Sequence, residues 1–348
     1  MDKTQLQIGV NLGGWISQYR TYDHTHFQTF ITQADIRRIA DWGFDHVRLP
    51  VDYPVLESDD RPGEYLESGF EYIENCLAWC QASGLKVILD LHKAPGYPFD
   101  DLQGVSLFDN PALQERLISL WAASAKRFGA QTDLVALELL NEVALPNSAP
   151  WNALYPRLVA KIRAHAPNSL LIIGSNNYNA ADQLQNLTLL DDPQILYTFH
   201  YYLPLVITHY RAPWIPQVFD YGKLIEYPGP GIAPEPEFFT RHPRCLNNPE
   251  YALGSCFDKN YLAQMLAPAV EFSRQIGQPV YCGEFGVIAH APMPNRHNWM
   301  RDLVSLLLEN NVGHALWSYK SMDFGLVDEH GDIVSEELVR IASMRRFS

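Results

Sequence analysis

Two glutamates stand at the ends of apolar runs that lie far apart in the chain. Glu142 closes Val135-Ala136-Leu137-Glu138-Leu139-Leu140-Asn141-Glu142, and Glu284 sits within Tyr281-Cys282-Gly283-Glu284-Phe285-Gly286. Paired carboxylates on different strands suit cleavage of a glycosidic bond, in which one attacks the anomeric carbon and the other protonates the departing oxygen. That division of labour requires surroundings that push the two pKa values apart. Arg48 is expected to keep Glu284 ionised by charge pairing, making Glu284 the nucleophile. Glu142, buried and facing the charge of its partner, is then the expected general acid/base. Asn141 is suited to bond a sugar hydroxyl, Tyr202 to hydrogen-bond the nucleophile, and Trp317 to offer a flat face to a pyranose ring. Asn11, His92, His200 and Asn177 complete the expected support.

Each of these residues has a plainer role open to it. Arg48 could serve only as an ion-pair partner of Asp90 or Asp45, His92 and His200 as hydrogen-bonded core histidines, and Trp317 as a lid on the core. Trp15, Trp42, Trp79, Trp121 and Trp299 read as packing residues. A metal-dependent hydrolase would use His92 and His200 as ligands, but no HxH follows the first strand and no second strand-end carboxylate ligand is evident. No metal or cofactor is therefore expected. A non-catalytic glycan-binding barrel is the third possibility, and the presence of both glutamates argues against it.

The elements that must position these groups alternate regularly. Strand patterns cover Gln7 to Gly13, Asp45 to Pro50, Leu85 to His92, Leu134 to Glu142, Ser169 to Ser175, Gln194 to Tyr202, Gln278 to Gly286 and Gly313 to Tyr319. Between them runs helical spacing, as in Phe70, Ile73, Leu77 and Cys80, or Trp299, Leu303, Leu306 and Leu307. Thr32 and Asp35 have capping-box spacing, Asn110-Pro111 places a cap before Pro at the first helical position, and Gly43 and Gly84 mark exits. Eight such alternations predict a (β/α)8 barrel, an α/β fold whose strand C-termini share one mouth. A doubly wound sheet is the alternative, and no GxGxxG follows the first strand to support it.

One segment breaks the rhythm. Residues 203–258, rich in Pro and aromatics, are too long for an ordinary connection. They are expected to form an inserted subdomain after the sixth strand, beside the cleft of a catalytic barrel spanning 1–348. The chain carries 26 Lys and Arg against 40 Asp and Glu, a formal charge of -14. Nucleic acid and anionic membranes are thereby disfavoured as partners. No stretch approaches the roughly 18 apolar residues of a membrane span, and residues 1–9 lack an export-signal core. A cytoplasmic monomer, or one released without a classical signal, is expected. The odd count of cysteines, Cys76, Cys80, Cys245, Cys256 and Cys282, favours reduced thiols over a Cys245–Cys256 bridge.

Taken together, Gly9-Val10-Asn11-Leu12-Gly13-Gly14-Trp15, His46-Val47-Arg48-Leu49-Pro50, Leu89-Asp90-Leu91-His92, Leu139-Leu140-Asn141-Glu142, Phe199-His200-Tyr201-Tyr202, Gly283-Glu284-Phe285-Gly286 and Leu316-Trp317-Ser318-Tyr319-Lys320 resemble glycoside hydrolase family five. The resemblance covers nearly the whole chain. Gly13 to Tyr19, His92 to Tyr97 and Tyr319 to Gly325 look like the short, signal-less bacterial endoglucanases of the endoglucanase C type, which also carry an insertion after the sixth strand. It implies a retaining endo-β-1,4-glucanase acting on cellulose-like or mixed-linkage β-glucan, with Glu142 as acid/base, Glu284 as nucleophile, and Arg48, His92, Asn141, His200, Tyr202 and Trp317 at family positions. Lys93 departs from relatives that often have a second His there, which leaves substrate choice open. A β-mannanase, a β-1,3-glucanase or an exo-acting glucosidase are the alternatives within the family. A retaining mechanism requires carboxyl groups about 5 to 5.5 Å apart.

Overall fold

Each of the eight apolar runs forms a strand, because side chains buried on both faces are stable only inside a covered parallel sheet. The computed structural model describes residues 1–345 apart from 100, 232–233 and 253. The strands are β1 (Ile8–Asn11), β2 (His46–Asp52), β3 (Lys86–Lys93), β4 (Val135–Glu138), β5 (Leu171–Gly174), β6 (Ile195–Tyr201), β7 (Val280–Phe285) and β8 (Gly313–Leu316). They pair in parallel in sequence order, and β8 closes on β1, giving the expected (β/α)8 barrel. Around it lie α1 (Gln33–Asp41), α2 (Glu67–Ala82), α3 (Pro111–Phe128), α4 (Ala149–Arg163), α5 (Lys259–Ile276), α6 (Met293–Glu309) and α7 (Glu336–Ala342). After β5 the helix is reduced to a 3-10 turn, Ala181–Asn186. No helix among the described residues is long and apolar enough to cross a membrane.

The helix boundaries follow the cap chemistry. Asp35 accepts from the Thr32 N–H at 2.9 Å, and Asn110 accepts from the Ala112 N–H at 3.0 Å ahead of Pro111. Gly43 and Gly84 leave their helices at φ +91° and +74°, angles that cost other residues strain. The strand ends are shorter than the apolar runs suggest. β4 stops at Glu138 rather than Glu142, since only Leu137 and Glu138 find partners on β5. Residues 139–142 still run along the rim, where the Leu139 N–H donates to Ile172 O (3.1 Å) and the Asn141 N–H to Leu91 O (3.0 Å).

Inside the barrel the strand period of two separates the structure into levels. Ile88, Ala136, Ile172, Leu196, Tyr281 and Ala315 fill the lower interior, while Val47, Leu49, Val87, Leu89, Val135 and Leu137 belong to the outer core against the helices. Above the apolar level, the inward positions become polar: Asn11, Arg48, Asp90, Glu138, His200 and Glu284 are all buried. The five cysteines are free thiols, Cys256 being the exposed one.

Gly9 admits the floor's one polar ring. The His46 imidazole bridges Asp45 (2.6 Å) and the Tyr281 hydroxyl (2.6 Å), and a Cβ at residue 9 would lie 2.2 Å from its Nε2. Overpacking of this kind typically costs about 1–3 kcal/mol. Gly9→Ala is accordingly expected to lower the unfolding free energy by that amount, seen as a lower denaturation midpoint at unchanged denaturant slope, while kcat of the folded fraction stays near that of the parent.

Candidate active site

Arg48 forms the centre of the mouth. Its side chain, wholly buried, uses all five N–H donors: Nε and Nη2 grip Glu138 at 2.7 and 2.9 Å, Nη2 also reaches Asn141 Oδ1 at 2.8 Å, and Nη1 reaches Asn11 Oδ1 at 3.0 Å and Glu284 Oε1 at 2.8 Å. Asp90 Oδ2 lies 3.1 Å from Nη2. Of the two carboxylates considered for Arg48 in the sequence, Asp90 is therefore a partner and Asp45 is not, Asp45 being engaged with His46 and the β1 backbone. Glu138, which the sequence reading passed over, makes the bidentate pair. Burial outweighs the opposing pull of Arg48 and leaves both Asp90 and Glu138 raised to about 7.

Glu284 is aimed by an irregularity in β7. Phe199 pairs with Cys282 and His200 with Glu284, so Gly283 is an extra residue in the ladder, and the pairing with β8 shifts at the same place. A bulge re-aims the next side chain. Gly283 is also a close approach, since a Cβ there would lie 3.0 Å from Thr198 Oγ1 and 3.1 Å from His200 Nε2. Glu284 Oε2 accepts from the Tyr202 hydroxyl at 2.9 Å, as expected from the sequence.

Glu142 has different company. Its Oε1 lies 2.8 Å from His200 Nδ1, and the same nitrogen is 3.6 Å from Glu284 Oε2. Ligand-type atoms of Glu142, His200 and Glu284 all fall within 4.8 Å of one another. Tyr97 fixes the backbone here, donating to Glu142 O at 2.7 Å and accepting the Ala144 N–H, while Trp121 holds Leu139 O at 2.9 Å. Burial, then the charge of Glu284, raise the Glu142 carboxyl well above its ordinary value. Burial also raises Glu284, but Arg48 and the Tyr202 hydroxyl oppose it. A single shared proton thus belongs on Glu142.

The two histidines are neutral at pH 7. Burial lowers His92 to about 4 and His200 well below its usual value. His92 Nδ1 meets Asp90 at 2.8 Å and Nε2 faces the Asn141 amide at 3.5 Å, so both nitrogens face protein groups. Trp317 lies parallel to His92, 5.5 Å between centroids at 6°, and its edge fills the space that a side chain on Gly13 would need. Only 6% of it is exposed. Asn11 donates to Gly283 O at 3.0 Å and to Leu316 O at 3.2 Å while accepting from Arg48, which makes it a brace between β1, β2 and β7.

Asn177 does not join this group. It is exposed, and residues 177–179 all adopt positive φ (52°, 60° and 57°), which turns its side chain outward while its N–H bonds Leu145 O. In the neighbour, Tyr178, partial burial and then the charge of Glu142 raise the phenol. It is 43% exposed. Asn176 is buried and ties to Leu145 O and Gln183. Glu138 had a legible signal, an ionisable residue inside an otherwise apolar strand at the same parity as the inward Ala136. Tyr178 had none, because its position follows from the left-handed turn.

Residues 9–323 match the family described as Cellulase (glycosyl hydrolase family 5). Over 348 residues the chain is 45% identical to Endoglucanase C of Acetivibrio thermocellus, covering 98% of this chain and 99% of that protein. It is 35% identical to Cellodextrinase A of Ruminococcus flavefaciens over 306 residues, 87% of this chain and 82% of the relative. The fold also matches a hyperthermophilic endo-β-1,4-glucanase solved in complex with substrate, with a TM-score of 0.76, 22% identity, and coverage of 98% and 97% of the two chains.

Removing Glu138 would leave Arg48 with two unanswered N–H groups in a dry site, a loss of the kind that costs about 3–5 kcal/mol. Glu138→Ala is expected to be destabilised by that much in chemical denaturation, and to lose activity even where it remains folded, since Arg48 would no longer be held toward Glu284. The matches and the ordered strand ends together place the chain in the cellulase family, glycosyl hydrolase family 5.

Proposed function

We propose that the protein is a retaining endo-β-1,4-glucanase in which Glu284 is the nucleophile and Glu142 the general acid/base. One observation carries the reading: the buried carboxyl group of Glu284 and the partly buried one of Glu142 approach within 4.8 Å, the first held by Arg48 and Tyr202 and the second by neutral His200. Such closeness suits a double displacement, whereas an inverting pair would stand about 6.5–9.5 Å apart to admit water. Glu284 attacks C1 while the proton of Glu142 passes to the leaving oxygen, giving a glycosyl ester and a freed chain end. Water then loses a proton to Glu142 as its oxygen bonds C1, and Glu284 departs as carboxylate. Asn141, with its carbonyl turned to Arg48, presents its amide toward the sugar at the reacting position. The remaining exposed strip of Trp317 faces that ring, and Tyr178 flanks the leaving group beside Glu142. These side chains supply the nucleophile, the proton and the contacts to the sugar.

The names of the relatives, an endoglucanase and a cellodextrinase, support β-1,4-linked glucose chains as substrate. Residues 203–258 act as a subdomain bordering the cleft, since His209 packs on Tyr202 with centroids 5.0 Å apart and exposed Trp214 packs edge-on to His209. Hydrolysis of carboxymethyl cellulose, mixed-linkage glucan, glucomannan and laminarin, followed for chain length and anomeric form, tests the reading. Mixed short oligosaccharides released from the first two as the β-anomer are expected, and release of the α-anomer would refute retention.

Two variants separate the carboxylates. Glu284→Ala should lose kcat by about 10^4-fold or more on every substrate. Glu142→Ala should lose comparably on β-glucan yet far less on aryl cellobiosides with good leaving groups, which need no proton, and azide should restore turnover there as a β-glycosyl azide.

Tyr202→Phe tests how the nucleophile is kept ionised. The Tyr202 hydrogen bond favours the charged carboxylate, so without it Glu284 binds its proton at higher pH. The acid limb of the kcat/KM profile is expected to move toward neutrality while the alkaline limb, set by Glu142, moves less. An unmoved acid limb would remove Tyr202 from this role.

A further inference from the structure

The inserted segment returns a carboxylate to the strand it left. Glu250, in the turn Pro249–Tyr251, is 1% exposed, and its Oε1 accepts the Val206 N–H at 3.0 Å. No basic side chain meets it among the described residues. Its other oxygen is buried without a hydrogen-bond partner there, and burial pushes the carboxyl up to about 7. An acidic group sequestered at this cost is unusual for a simple loop tie, which a Ser or Asn could make.

The group that Glu250 holds leads directly to the nucleophile. Val206 is in the four-residue helix Leu205–Thr208, which begins three residues after Tyr202. At the end of that helix, Thr208 donates its hydroxyl to Tyr202 O, and its carbonyl accepts the Ile288 N–H at 2.8 Å, four residues beyond Glu284. His209 then backs the Tyr202 ring, whose hydroxyl reaches Glu284 at 2.9 Å. The turn carrying Glu250 is itself anchored by Tyr251, which stacks on Phe238 within the insertion at 5.3 Å and 30°. Residues 205–208 are thus clamped on one side by the Glu250 turn from the far end of the insertion and on the other by Tyr202 O, just after β6, and the Ile288 N–H, just after β7.

We propose that Glu250 is a positioning residue for hydrolysis, through which the far end of the 203–258 insertion holds the insertion's own first helix, Leu205–Thr208, and so keeps the Tyr202 hydroxyl on Glu284. This rests on the roles given above to Tyr202 and Glu284. It assigns the insertion a part in the chemistry at the nucleophile in addition to bordering the cleft.

The test is a double-variant cycle on the full chain, with kcat and KM measured on cellotetraose and folding followed by thermal melting. Glu250→Ala is expected to lower kcat by about tenfold with KM changed less than about twofold, because a small displacement of an aligned group acts on the transition state. Glu250→Gln, which keeps an acceptor for Val206, should recover most of that loss. In a Tyr202→Phe background Glu250→Ala should cost little more, since the route to Glu284 is already cut. Where Glu250→Ala fails to fold, Glu250→Asp, one methylene too short to reach Val206, takes its place in the cycle with the same expectations.

Full additivity with Tyr202→Phe, or a rise in KM at constant kcat, would overturn the proposal while leaving the assignments of Tyr202 and Glu284 intact. An unimpaired kcat in Tyr202→Phe alone would instead overturn the role of Tyr202, and the proposed route with it.

Discussion

The buried guanidinium of Arg48 is the constraint around which the rest of the mouth is arranged. A cation without access to water must have every N–H answered, and four strands contribute to the answer: Asn11 from β1, Asp90 from β3, Glu138 and then Asn141 from the β4 end, and Glu284 from β7. Arg48 itself is on β2. Such a set is costly to desolvate and is retained for what it specifies more than for what it adds to stability. Here it specifies the state of two acids. The carboxylate that touches Arg48 is held toward ionisation, and the one that does not is left to keep its proton.

The surrounding elements can be understood as ways of delivering those groups to one level. Bulges in β3 and β7 occur where the ladder must turn a side chain inward, at His92 and at Gly283–Glu284. Packing against α3 reaches the site through Trp121, whose indole holds the backbone on the approach to Asn141 and Glu142. Trp299 of α6 does similar work on the other side, binding Leu203 O at 3.0 Å just beyond Tyr202. The tryptophans assigned to packing in the sequence therefore include residues that fix the backbone near reacting groups while touching none of them.

The fold was legible because a buried parallel strand leaves an apolar run and a functional mouth ends it in polar residues. All eight strands were found this way, with errors confined to their ends, where ladder pairing rather than hydrophobicity decides. At the site, Arg48, Glu142, Tyr202 and Glu284 were visible as polar ends, and the contact of Tyr202 with Glu284 followed from chemistry. Glu138 was legible as an ionisable residue inside an apolar run, but its meaning depends on Arg48 from another strand. Asn177 stands apart from the buried group for a different reason. Three successive left-handed residues turn the β5 rim so that Tyr178, not Asn177, approaches Glu142, and side-chain direction in such a turn is set by tertiary hydrogen bonds to residues 143 and 145. The insertion was recognised by length and composition, but which of its residues return to the barrel was beyond any local pattern.

The extra residue at Gly283 has a consequence for how this scaffold can vary. In an open sheet a misregistered strand can slide to relieve the offset. In a ring of eight closed pairings, each strand is fixed by neighbours on both sides, so the offset at Gly283 cannot be relaxed by slippage. The spacing between the two acids is thereby written into the circumference of the barrel. Loops above the mouth, including the long one after β6, can be exchanged to change which chains enter and how far they extend, while the stereochemical course of the reaction is inherited from the ring beneath.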